Sequence, residues 1–371
     1  LTNDMHDSKR LAADLDATRQ SGIDILPPCV NRSMAHFTVE HGKIRFGLAA
    51  IKGVGHSAIN AIVEAREAAG GAFDDIFHLV RDLDLRSVGR KTLEALAMTG
   101  ALDHFEGTRA QQAEAVETAW AYAQKHQADK AAGQNSLFGG GSEASESFTP
   151  SLPNVDPWAK GLTLRNERDL MGFYVSGHPL DDFAPEVRAF ATMRLGDAGN
   201  IPHESNQTAC GIITDVTRRT TKQGKPMAFI TIEDTTGSAE CVLFSQAIDK
   251  CGQHLELDEV VLVRGKAETS GELKLIANDV LPMWKVREQM VKSIILRLDA
   301  DTTETSSIDA LAALCENNKG HTKLYFDVES SELPRPVRLH ARTAVVEPTP
   351  ELMKGLGKLF GREAVVLEGE G

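Results

Sequence analysis

Long apolar runs are missing from this 371-residue chain, and nothing in it approaches the roughly 20 residues that cross a bilayer as a helix. Cysteine is scarce. The five, Cys29, Cys210, Cys241, Cys251 and Cys315, are dispersed, with no C-x-x-C pair and no histidine at metal-ligand spacing. That pattern argues against zinc, suits a reducing cytoplasm and makes all five packing residues. Positive charge is short as well: 40 Lys and Arg face 53 Asp and Glu, for a formal net charge of -13. Counterion release needs clustered Lys and Arg, so any contact with nucleic acid has to be local. Catalytic signatures are also missing. There is no Walker loop, no G-x-S-x-G, no H-E-x-x-H and no carboxylate pair set in apolar strands for two metal ions. His178, in SGHPL, stands before a proline at a helix stop and reads as structural, so no catalytic residue, metal ligand or cofactor is assigned.

What is present falls into blocks. The chain opens on Leu1 with no initiator Met, basic n-region or apolar h-region, and reads as part of a longer polypeptide without a visible secretory signal. In residues 1–43, Leu11 and Leu15 keep a helical spacing that Gly22 and the Pro27-Pro28 pair stop. From 44 to 106 the pattern is short helices. IRFGLAAIKGVGHSAINAIVEAREAAGG predicts a helix, a tight glycine turn and a second helix from Ser57 to Gly70-Gly71. Residues 107–161 begin helical and pass into GGGSEASESFTPSLPNVDP, a flexible linker whose Gly, Ser, Glu and Pro cannot offset ordering entropy. A helical connector follows over 162–206, with its helix from about Leu162 to Tyr174.

From 207 to 283 the period changes to two. Five strand-like runs, with a helical QAIDKCGQHL between the third and fourth, give the order of an OB barrel. The tail, 290–371, alternates strand and helix as a small α/β domain, and no internal repeat stands out. The fold class is multidomain α+β: an all-helical helix-hairpin-helix domain, a flexible linker, a five-stranded OB-fold barrel and a small C-terminal α/β domain.

Three stretches could carry function. AAIKGVGHSAINAI, Ala49 to Ile62, has the helix-hairpin-helix pattern, in which Gly53 and Gly55 let a phosphate approach backbone amides at a helix N-terminus. Lys52 and His56 flank that concavity and Val54 is its apolar peg; the competing reading is an αα-hairpin whose glycines only permit close helix packing. In the barrel, TRRTTKQGK places Arg218, Arg219, Lys222 and Lys225 between the first two strands, as a single-strand grip or a solvated hairpin tip. The barrel span Gln207 to Leu281 holds eight Lys/Arg against eleven Asp/Glu, and Phe229 and Phe244 are its only aromatics, so a stacking platform is not evident. Finally, AAGQNSLFGGG sets Leu137 beside Phe138 among glycines, as an anchor on its own domain or a plug for another protein's pocket.

In order, GIDILPPCVNRS, IRFGLAAIKGVGHSAINAIVEAR, RKTLEALAMTGALD, QNSLF, ERDLMGFYVSGHPLDDF, GIITDVTRR and GSAECVLFS resemble the C-terminal part of bacterial DNA polymerase III alpha subunits, the C-family replicative polymerases. The likeness runs from Gly22 to about Ala267 and is faint beyond Met283. It implies that the hairpin of Gly53, Val54 and Gly55 holds double-stranded DNA, that the OB domain lies near single-stranded template, and that residues 290–371 bind the clamp-loader tau subunit. It further implies that Gln134, Leu137 and Phe138 form a Gln-x-x-Leu-Phe peptide docking on the sliding clamp, beta. Residues 1–43 would be a remnant of the fingers domain, with the palm carboxylates and PHP domain upstream of Leu1. The complete enzyme is then a Mg-dependent DNA-directed DNA polymerase, while this stretch alone is inactive. A stand-alone clamp-associated adaptor is the alternative; a repair enzyme would need a nucleophilic Lys motif, zinc finger or carboxylate cluster that the sequence lacks.

Overall fold

In the computed structural model the chain divides into two units, Leu1–His178 and Pro179–Gly371, each with its own apolar core. The structure describes residues 21–134 (side chains to 130), 149–369 and, nearer the N-terminus, 1–3, 5, 10, 11, 14, 15, 17 and 18.

The first unit begins with a three-stranded sheet, β1 (Ile25–Leu26), β2 (Thr38–Glu40) and β3 (Lys43–Arg45), in the order β1-β3-β2. The first expected helix of the hairpin is a strand end followed by one 3-10 turn, Leu48–Ala50. Two local facts explain the difference. Ile44 and Arg45 are paired with β1 and β2, and a Cβ on Gly47 would lie 2.6 to 2.8 Å from the backbone of Ala35 to Phe37, so the chain must pass there as glycine.

Helices then follow as expected: α1 (His56–Ala68), α2 (Ile76–Asp82), α3 (Arg90–Met98) and the 26-residue α4 (Arg109–Gln134). The Asp75 side chain caps α2, accepting from the His78 amide at 2.7 Å. Phe46, Leu48, Ile59, Ile62, Leu93 and Leu96 are fully buried where these elements meet. Truncating one such leucine to alanine costs about 2–5 kcal/mol.

Helix α5 (Lys160–Met171) ends three residues before the expected Tyr174, because Gly172 takes a left-handed C-cap at φ 84°. Its Glu167 carboxylate, 0% exposed, accepts from Arg109 Nη1 at 2.7 Å and from the amides of Val175 and Ser176 at 2.7 and 2.9 Å. That knot fixes the segment after α5 to the start of α4. Ahead of α5, Leu152 packs on the core and Gln111 Nε2 donates to the Pro153 carbonyl at 3.0 Å.

In the second unit α6 (Ala184–Phe190) precedes β4 (Asn206–Thr220), β5 (Pro226–Glu233), β6 (Ser238–Leu243), α7 (Ser245–Cys251), β7 (Val260–Glu268) and β8 (Lys274–Pro282). The five expected strands close a barrel in the order β4-β5-β6-β8-β7, with β6 and β8 parallel. Ala209, Ile213, Ile230, Cys241, Val263 and Leu275 fill it. β4 serves two neighbours, β7 along its first half and β5 along its second, and a register irregularity between Ile213 and Asp215 marks its bend.

Helix α8 (Met283–Met290) leads to β9 (Val291–Asp299), α9 (Thr305–Asn317), β10 (Lys319–Glu329), β11 (Val337–Val346), α10 (Pro350–Phe360) and β12 (Val365–Gly369). The sheet order is β11-β10-β9-β12, with β9 and β10 parallel and the other pairs antiparallel. The thiols are packing residues. Burial pushes Cys210 up to about 12 and raises Cys241, Cys251 and Cys315 as well.

Candidate nucleic-acid interface

The turn before α1 is built for backbone access. Gly53 sits at φ 85°, a conformation that side chains resist, and Gly55 is the extended N-cap residue at φ -78° and ψ 158°. No atom lies within 4 Å of where a Cβ would stand on either glycine, so neither is there to let helices pack closely. The close-packing role is thus not what these two glycines serve in this fold. Val54 is buried as the peg, 6% exposed, while Lys52 and His56 are exposed beside it. No side chain caps α1, which leaves its first-turn amides and the positive end of the helix dipole facing outward. The turn is held from behind: the Lys52 amide donates to the Leu170 carbonyl at 2.8 Å, and Thr92 Oγ1 donates to the Gly53 carbonyl at 3.1 Å.

Thr92 reveals what the sequence reading missed. It lies in the first turn of α3, whose N-cap Gly89 has φ -89° and ψ 162°, nearly the angles of Gly55, again with no side-chain cap and open space around a notional Cβ. Laid side by side, KGVGHSAINAI (52–62) and RSVGRKTLEAL (86–96) share a buried Val, an open Gly, a cationic or imidazole residue and the same apolar spacing. The unit therefore presents two locally similar glycine-capped helix starts. Only Val54/Val88, Gly55/Gly89 and Ala61/Ala95 are identical, and the positive-φ Gly53 is Ser87 in the second stretch, which is why the relation is not visible in the sequence. Arg90 Nη1 pairs with Glu117 at 2.6 Å and its guanidinium lies over the Trp120 ring, while Lys91 is exposed.

On the barrel all four predicted cations are exposed, but they do different things. Arg218 and Arg219 are consecutive on β4, opposite Ala228 and Met227, and so point to opposite faces. Arg218 Nη2 donates to the Leu255 carbonyl at 2.9 Å, which holds it against the segment after α7. Lys222 and Lys225 belong to the tight turn around Gly224, φ 77°, with Arg219 at its base. Of the proposed clamp peptide, Leu137, Phe138 and the side chain of Gln134 lie outside the described residues. Among the described residues no group of three or more His, Cys, Asp or Glu could hold a metal ion, and no helix is long and apolar enough to cross a membrane.

Known proteins match these pieces in the same order. Residues 22–112 match a helix-hairpin-helix motif family, 208–283 an OB-fold nucleic acid binding domain, and 294–359 the C-terminal domain of the DNA polymerase III alpha subunit. Over 375 residues the chain is 28% identical to DNA polymerase III subunit alpha of Vibrio cholerae, covering 99% of this chain and 32% of that protein. The counterpart of Haemophilus influenzae is 30% identical over 377 residues (100% and 32%), and that of Escherichia coli strain K12 is 31% identical over 376 residues (99% and 32%). The chain is homologous to the C-terminal part of the DNA polymerase III alpha subunit, and spans about a third of the length of the curated relatives it matches. The likeness that motifs left faint beyond Met283 is carried there by the domain match.

Proposed function

We propose that this chain is the binding region of a replicative DNA polymerase, gripping duplex DNA through its glycine turns while other segments tether it to the replication machinery. The observation that carries the reading is the open, uncapped turn at Gly53 to His56 with a similar one at Val88 to Lys91. Two helix N-termini joined through Thr92 offer amides to neighbouring phosphates, a contact that positions a duplex without reading its sequence. The barrel, with Arg219, Lys222 and Lys225 at one hairpin, takes single-stranded template. Gln134, Leu137 and Phe138 dock on the sliding clamp, and residues 290–371 bind the clamp-loader tau subunit. Each contact is weak alone, and linking them raises effective concentration, which makes synthesis processive. Polymerisation itself, with its Mg ions, belongs to the complete cytoplasmic enzyme, and the chain alone is inactive.

The test of the grip is fluorescence anisotropy with a labelled duplex. Gly55→Val should weaken binding about tenfold or more, since charge-assisted hydrogen bonds contribute about 1.5–3 kcal/mol. Unchanged affinity in a folded variant would remove the hairpin from the interface. For the clamp contact, calorimetry against the cognate clamp should show binding that Gln134→Ala, Leu137→Ala and Phe138→Ala together abolish; binding indifferent to the triple change would discard the peptide.

A further inference from the structure

An exposed indole stands just outside the barrel strands. Trp284 is the second residue of α8, immediately after β8 ends at Pro282, and 51% of it is exposed. An indole pairs a large apolar face with a polar N–H, which suits it to a site that is half open to solvent. Its surroundings are ordered. Lys285 Nζ lies 5.4 Å from the ring centroid, and the His254 ring meets it at 6.1 Å with an interplanar angle of 85°. Lys285 Nζ donates to His254 Nε2 at 2.8 Å. Burial and the neighbouring ammonium lower the basicity of His254, so the imidazole stays neutral, accepts that bond and leaves the charge on lysine. The next residue, Leu255, receives the Arg218 guanidinium at its carbonyl. One continuous arrangement therefore runs from the cationic β4–β5 hairpin to the indole.

We propose that Trp284, oriented by Lys285 and His254, is a stacking site for a base of single-stranded nucleic acid. Phe229 is the one aromatic on the barrel strands and Phe244, 47% exposed, caps α7, so Trp284 adds the large ring held between a lysine and a histidine that OB-type stacking uses. Glu256 beside His254 keeps the patch mixed in charge, so stacking rather than phosphate attraction carries the contact and every base is accepted. The inference rests on the reading of the barrel as a single-strand binder.

The experiment is anisotropy of a labelled oligo-dT against the full chain, with Trp284→Ala and Trp284→Phe beside wild type over a salt series. Stacking predicts that Trp284→Ala loses affinity about fivefold or more while the salt slope is unchanged, and that Trp284→Phe recovers most of the loss. Wild-type binding that Trp284→Ala leaves intact would overturn the stacking site but keep the barrel as a single-strand binder. No binding by wild type would overturn both. Equal loss on a duplex probe would also overturn the assignment, since it would report a general defect.

Discussion

Replacing Glu167 by alanine should loosen the end of the first unit more than any surface change. In the folded chain its buried carboxylate accepts from Arg109, from the hydroxyl of Ser176 and from the amides of Val175 and Ser176. The variant leaves two amides without their acceptor at about 1–3 kcal/mol each, while Arg109 keeps its pair with Asp103 at 2.7 Å. Because part of this is recovered through water at the loop, the net loss should be about 3–5 kcal/mol, the scale of a broken buried ion pair. Urea unfolding of a two-unit chain is not a single transition, so the readout is hydrogen exchange, compared between residues 160–178 and the barrel. Amides of Val175 and Ser176 should lose protection by two orders of magnitude or more, roughly 1.4 kcal/mol per factor of ten, with the barrel unaffected. A change below about tenfold at those amides would show that the carboxylate is not what holds the segment.

Other perturbations follow from the same contacts. Arg219→Ala, Lys222→Ala and Lys225→Ala together should flatten the salt dependence of oligo-dT binding by up to about 2 in slope, and an unchanged slope would make the hairpin a solvated tip. Arg218 is spared there because its loss would also free the Leu255 carbonyl. Glu40, hydrogen-bonded by Arg45 and Arg32, has its carboxyl lowered from 4.5 to about 2. A depressed folded-state value means stability that is present above 4.5 and is lost as pH falls toward 2. Acid titration monitored by near-ultraviolet dichroism should therefore show Glu40→Gln less sensitive across that window than wild type, and identical curves would refute the assignment.

The sequence made some parts of this molecule easy to read and concealed others for definable reasons. Alternation along β4 to β8 survives because one face of each strand fills the barrel, so period two and strand order were both visible. The turn at Gly53 and Gly55 was legible because a left-handed φ and an extended N-cap, the first of which favours glycine, break the apolar pattern between the two elements. The false helix before them arose because Phe46, Leu48, Ala50 and Ile51 are all buried, and a run buried on every side carries no period that separates strand from helix. Helix α8 carries Met283, Val286 and Met290 at helical spacing, but it is only eight residues long and stands between the period-two run and the C-terminal domain, where neither pattern marks it. Trp284 lies three residues past the end of the period-two run at Leu281, so nothing in the strand pattern ties it to the barrel. The knot at Glu167 could not be read at all, because its partners are 58 residues upstream and 8 and 9 residues downstream.

Duplex binding measured across a salt series, for wild type, Gly55→Val, Gly89→Val and the double variant, tests the central claim most directly. Both glycines have ordinary negative φ and open space, so valine should cost only about 1 kcal/mol through the weaker N-cap and leave the fold intact. If the two turns hold neighbouring phosphates, each single change should weaken binding about tenfold and the double change should weaken it further. Full affinity in the folded double variant would place the duplex elsewhere and contradict the account.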